Sequence, residues 1–119
     1  MLAKVLVTDD AAFMRMQIKE MVTKLGHEVV GEASNGREVI KQFIYLKPDL
    51  TIMDIVMPEM TGIEALKEIK KYRKDAKIII CSSMGQKEKV LEALKEGAID
   101  FIVKPFNPER FNSAISKAL

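Results

Sequence analysis

A chain of 119 residues has the length of one domain, residues 1–119. Its net charge of +2, with basic and acidic residues interleaved, argues against nucleic acid as a partner, and no apolar run approaches the roughly 18 residues that cross a membrane. One cysteine, Cys81, and one histidine, His27, exclude an internal disulfide and argue against zinc; without a leader pattern the expected setting is the reducing cytoplasm.

The first strand-like run is Ala3 to Thr8, centred on Val5-Leu6-Val7, and the pair Asp9-Asp10 ends it. Met14, Ile18, Met21, Val22 and Leu25 then recur at helical spacing, with Gly26 suited to close the helix. Glu28 to Glu32 is a short second strand, apolar only at its centre, as suits a sheet edge. Ser34-Asn35-Gly36 turns into a second helix faced by Val39, Phe43 and Leu46, which Lys47-Pro48-Asp49 breaks. The third strand, Leu50 to Asp54, delivers an acid to its carboxyl end, and a loop through Pro58 reaches Gly62.

Ile63, Leu66 and Ile69 mark a third helix. The continuous apolar run Ala76 to Cys81 predicts a strand buried on both faces, with Ser82 just past it. Val90, Leu91 and Leu94 mark a fourth helix closed by Gly97, and Phe101-Ile102-Val103 is a fifth strand ending at Lys104, with Phe101 expected in the core. Asn107-Pro108 is an N-cap followed by proline at the first helical position, and Phe111, Ala114, Ile115, Ala118 and Leu119 form the last stripe.

Five strands alternating with five helices imply an α/β fold, a parallel sheet with helices on both faces. The flavodoxin-like order 2-1-3-4-5 follows from placing the least apolar strand, the second, at an edge. It sets the first and third strands side by side, so Asp9, Asp10 and Asp54 meet at the carboxyl edge where Lys104 and Ser82 also end.

Each of these residues has an ordinary use alone: a turn acid, a helix-start acid, a solvated lysine, an N-cap serine. Together they describe a reaction site. Clustered carboxylates need a counter-charge, and Mg²⁺ is held by one or two carboxylates plus a phosphate. Asp10 and Asp54 are the expected direct ligands, with Asp9 acting through water. Asp54 is also a candidate nucleophile that forms an aspartyl phosphate, with Lys104 offsetting charge on the transferring oxygens and Ser82 donating to one of them. The Lys104-Pro105 bond is one that can be cis.

The set Thr8-Asp9-Asp10, Met53-Asp54-Ile55-Val56-Met57-Pro58 with Gly62, Cys81-Ser82-Ser83-Met84 and Lys104-Pro105-Phe106 resembles the receiver domain of two-component response regulators, closest to its chemotaxis branch, across essentially the whole chain. The resemblance implies that Asp54 is the phosphoacceptor and that the Val56 backbone carbonyl joins Asp9, Asp10 and Asp54 around Mg²⁺. It implies Ser82 as the switch hydroxyl and Phe101 as the switch aromatic. It further implies a histidine kinase of the CheA type as donor and a FliM-type flagellar motor switch protein, or another output protein, as partner. That partner would sit on the face of the fourth helix, fifth strand and fifth helix, with a phosphatase as a further partner and the chain a monomer. The only chemistry expected is the chain's own Mg²⁺-dependent phosphorylation and dephosphorylation, so it is not an enzyme acting on external substrates.

The chain departs from the family at Thr8, where an aliphatic residue is common, and at Val56 and Met84, which offer no polar side chain to orient a hydrolytic water. The competing readings are a receiver cut from a longer DNA-binding regulator and a phosphatase with an aspartyl nucleophile. The latter needs a second acid where Val56 stands. A flavodoxin-like cofactor carrier would need a Ser/Thr/Gly phosphate loop where this chain has Asp9-Asp10-Ala11-Ala12-Phe13.

Overall fold

The computed structural model describes residues 2–119. The elements follow in strict alternation: β1 (Lys4–Thr8), α1 (Ala12–Lys24), β2 (Glu28–Ala33), α2 (Gly36–Leu46), β3 (Leu50–Asp54), α3 (Gly62–Tyr72), β4 (Ile78–Ser82), α4 (Lys87–Lys95), β5 (Asp100–Val103) and α5 (Pro108–Ala118). The sheet is fully parallel, in the order β2-β1-β3-β4-β5. The topology expected from the patterning is the one observed.

Side-chain alternation along the strands divides the core in two. Leu6, Met53, Ile55, Ile78 and Ile80 point to one face and pack with Val39 and Phe43 of α2, Leu66 and Ile69 of α3, and Val90 and Ala93 of α4. Val5, Val7, Leu50, Ile52, Ile79, Cys81 and Ile102 point to the other and pack with Ile18 and Val22 of α1 and Phe111, Ala114 and Ile115 of α5. Each such side chain, fully buried, stabilises the fold by roughly 2 kcal/mol. Burial also pushes the Cys81 thiol pKa up, so Cys81 is a packing residue.

The helix starts are chemically marked. The Asn35 side chain accepts from Glu38 N at 2.8 Å, Thr61 and Glu64 form a reciprocal capping box, and Asn107 caps α5 ahead of Pro108. Gly26 closes α1 with φ +88, a region open to glycine at no steric cost.

Several sequence-based boundaries shift. β4 begins at Ile78 rather than Ala76 and ends at Ser82, so Ser82 belongs to the strand. Leu91 and Leu119 are exposed although they lie on the apolar stripes of their helices. Phe101 is half-buried, packed at the margin of the core rather than within it.

Candidate functional site

The parallel register explains why the acids converge. Thr8 pairs with Met53 across β1 and β3, so Asp9 and Asp54 leave adjacent strand ends together. Asp9, Asp10 and Asp54 each offer a carboxylate oxygen, and these atoms all lie within 4.8 Å of one another. Asp9 is almost wholly buried and Asp54 is buried, whereas Asp10 is exposed.

Lys104 enters from the end of β5. Its backbone N–H donates to the Ser82 carbonyl at 2.7 Å, which anchors the residue to the tip of β4. Its Nζ donates to Asp9 Oδ2 at 2.8 Å and to Asp54 Oδ2 at 2.9 Å. The Lys104–Pro105 peptide bond is cis. The remaining oxygens of the two acids are held by the backbone: Ala11 N donates to Asp9 Oδ1 at 2.9 Å and Val56 N to Asp54 Oδ1 at 3.2 Å.

The electrostatics are those of an acid cluster short of counter-charge. Burial raises the Asp54 pKa above the usual carboxylate range, and the Lys104 ammonium offsets only part of that shift. For Lys104, burial pulls the pKa down, but the hydrogen bonds to Asp9 and Asp54 more than reverse this, and the net shift is upward. Among the described residues, the Lys104 ammonium bonds two of the three carboxylates, and Asp10 adds negative charge at the exposed side.

The loop after β3 is folded tightly onto the site. Gly62 N donates to the Ile55 carbonyl at 3.0 Å. A Cβ on Gly62 would overlap the Asp54 carbonyl oxygen and approach Ile55 Cα at 2.8 Å, and neither backbone atom can yield cheaply. Gly62→Ala is therefore expected to lower stability by about 2 kcal/mol, read as a reduced midpoint in urea unfolding. A midpoint equal to the wild type would show that the loop does not constrain Asp54.

The residues predicted from sequence, Asp9, Asp10, Asp54 and Lys104, are thus brought together, and Ser82 supports Lys104 through its backbone. Val56, bonded to Asp54 through its backbone N–H, and Met84 are both exposed apolar residues. Sequence reasoning missed Arg15. From α1 its Nη1 donates to the Asp9 carbonyl at 2.7 Å and its Nε to Glu32 at 3.0 Å, fixing the turn that carries Asp9. The Lys19 ammonium, with Arg15, holds the Glu32 carboxyl below its ordinary range.

Residues 5–116 match the response regulator receiver domain family. The chain belongs to that family. This receiver is 59% identical to the chemotaxis protein CheY of Thermotoga maritima, over 96% of this chain and 95% of that protein. Among solved structures it resembles a response regulator receiver domain protein from Clostridium thermocellum, with a TM-score of 0.92 and 34% identity over 98% of this chain and 94% of that one. It also resembles a chain of the CheX–CheY–BeF3–Mg²⁺ complex from Borrelia burgdorferi, with a TM-score of 0.90 and 31% identity over 96% and 87% of the two chains. The receiver is therefore a two-component signalling domain closely related to CheY. Among its described residues, no helix is long and apolar enough to cross a membrane.

Proposed function

We propose that this receiver is a phosphorylation-activated switch of chemotaxis, working in the cytoplasm, that takes a phosphoryl group on Asp54 from a histidine kinase and then binds a motor switch protein. The observation that carries the reading is the convergence of Asp9, Asp10 and Asp54 with Lys104 Nζ bridging two of them. The relative from Thermotoga maritima is matched over nearly its whole length, which supports the chemotaxis role over that of a fragment of a DNA-binding regulator.

In the transfer, an Asp54 carboxylate oxygen attacks phosphorus of a phosphohistidine. An O–P bond forms, the N–P bond breaks, and the imidazole nitrogen leaves with the electron pair. Lys104 already donates to Asp54 and is placed to follow the charge onto a phosphoryl oxygen. Val56 N–H orients the attacking carboxylate.

The donor set fits Mg²⁺. It is all oxygen, excess negative charge, and part exposed. Asp9, Asp10 and Asp54 would hold the ion, with the Val56 carbonyl the further ligand that the family suggests. Bound there, Mg²⁺ supplies positive charge against the transferring oxygens.

Two outcomes test the site and its output. A concentration of Mg²⁺ ten times its Kd should raise stability by about 1.4 kcal/mol, seen as a higher melting temperature, and Asp10→Asn should remove most of that gain. An unchanged melting temperature at saturating Mg²⁺ counts against the metal site. Ser82→Ala should leave phosphorylation of Asp54 intact but weaken, about tenfold, the gain in affinity for a flagellar motor switch protein that beryllofluoride and Mg²⁺ induce. A full gain in the variant would remove the Ser82 hydroxyl from the switch.

A further inference from the structure

Phe101 is held by a second charged group, remote from the acid cluster. Arg110, in the first turn of α5, reaches back across the loop to β5. Its Nη2 donates to Asp100 Oδ1 at 2.7 Å and its Nη1 to Asp100 Oδ2 at 3.2 Å, a forked pair. Nη2 also donates to the Phe101 carbonyl oxygen, which lies on the open edge of the sheet. The guanidinium carbon stands 5.5 Å from the Phe101 ring centroid, within cation–π range. Asp100 Oδ1 in turn accepts from Phe101 N at 2.8 Å, so both backbone polar groups of Phe101 are tied to this pair.

The side chain of Phe101 packs at the margin of the core and also lines a cavity of about 380 Å³ together with Ser82, Val90, Leu91, Leu94 and Val103. The backbone of Phe101 is thus clamped while its side chain borders open volume, and Arg110 contacts both backbone and ring.

From this geometry we infer that Arg110 is a positioning residue, a latch whose guanidinium sets how readily the Phe101 ring leaves the orientation seen here. Turning the ring toward the cavity gives up the stack on Arg110 and leaves the Asp100 fork intact. A neutral side chain at 110 removes the ring contact together with the fork, while the pairing of β5 with β4 and the bond from Phe101 N to Asp100 keep the strand in place. A cation–π contact at a part-exposed site corresponds to a change of about threefold to fivefold in the rotamer ratio. The consequence for signalling rests on the reading of Phe101 as the output aromatic, but the latch itself is a property of the free protein.

The experiment measures the χ1 populations of Phe101 by three-bond couplings in the full chain, first without any activator and then with beryllofluoride and Mg²⁺. In the free protein Arg110→Gln should raise the minor rotamer about threefold to fivefold. Arg110→Lys, which keeps the charge without the planar fork, should restore part of the wild-type ratio. Beryllofluoride affinity should change by no more than the same threefold to fivefold, because Arg110 makes no bond to the acid cluster and acts on it only through Phe101. Identical populations in the wild type and Arg110→Gln overturn the latch, even if the variant melts lower, since that would make Arg110 a brace alone. If the variant shifts the ratio while beryllofluoride moves Phe101 in neither protein, the latch stands and the aromatic switch fails. If beryllofluoride moves Phe101 equally in both proteins and Arg110→Gln changes nothing without it, the switch stands and the latch fails.

Discussion

Lys104→Met is expected to cost about 3 kcal/mol of stability at neutral pH in the absence of Mg²⁺, measured by urea unfolding. The methionine keeps the apolar stem and removes the ammonium that donates to both Asp9 and Asp54. Two buried carboxylates then face each other without compensation. The pH dependence has a definite sign. The folded-state pKa of Lys104 lies above its ordinary value, so its contribution is fully present below about pH 10 and is lost as pH rises through the folded value. The gap between wild type and variant should therefore close in strong alkali. Mg²⁺ should recover more stability in the variant than in the wild type, because the ion replaces the missing positive charge. A variant as stable as the wild type at pH 7 without Mg²⁺ would mean that the Lys104 ammonium does not offset the buried carboxylates.

Asp54→Asn should eliminate phosphorylation completely while making the free protein more stable at neutral pH. Burial holds the Asp54 pKa above the ordinary carboxylate value. A raised folded-state pKa contributes stability that is present below the unfolded value, near 4, and lost as pH rises through the folded value, so ionised Asp54 is a net cost at pH 7. Asparagine has no charge to desolvate, and Lys104 keeps its bond to Asp9. The stability advantage of the variant should therefore shrink as pH falls through the folded value toward about 4 and stay constant below that, where wild-type Asp54 is protonated in both states. A variant less stable than the wild type at pH 7 would show that the Lys104 bond outweighs the desolvation of Asp54.

Much of this was legible in the sequence because the sheet imposes it. Alternation of apolar runs gave five strands and five helices, and the polar flanks of Glu28 to Glu32 identified β2 as the edge, which sets β1 beside β3. Once those strands are neighbours, Asp9 and Asp54 must meet. What was not legible depends on where a face ends. Leu91 and Leu119 satisfy the helical period yet stand at its outer margin, where they remain exposed. Helical period reports a direction and not how far the covering layer extends. Phe101 lies on an edge strand and packs only at the margin of the core, so it is half enclosed. The ties of Arg15 to Asp9 and of Arg110 to Asp100 and Phe101 join different elements across loops, and no local spacing signals them. The Ser82 boundary was misplaced by one residue because a serine reads as a turn signal even when parallel pairing carries it, here opposite Val103.

The most direct test of the central claim is to treat the full chain with a small phosphoryl donor and Mg²⁺, trap any acyl phosphate with borohydride, and map the reduced residue by mass spectrometry. The account predicts one phosphoryl group per chain, dependent on Mg²⁺ and located at Asp54, with none in Asp54→Asn. Phosphate found on Ser82 or Ser83 with Asp54 unmodified, or incorporation equal with and without Mg²⁺, would contradict it.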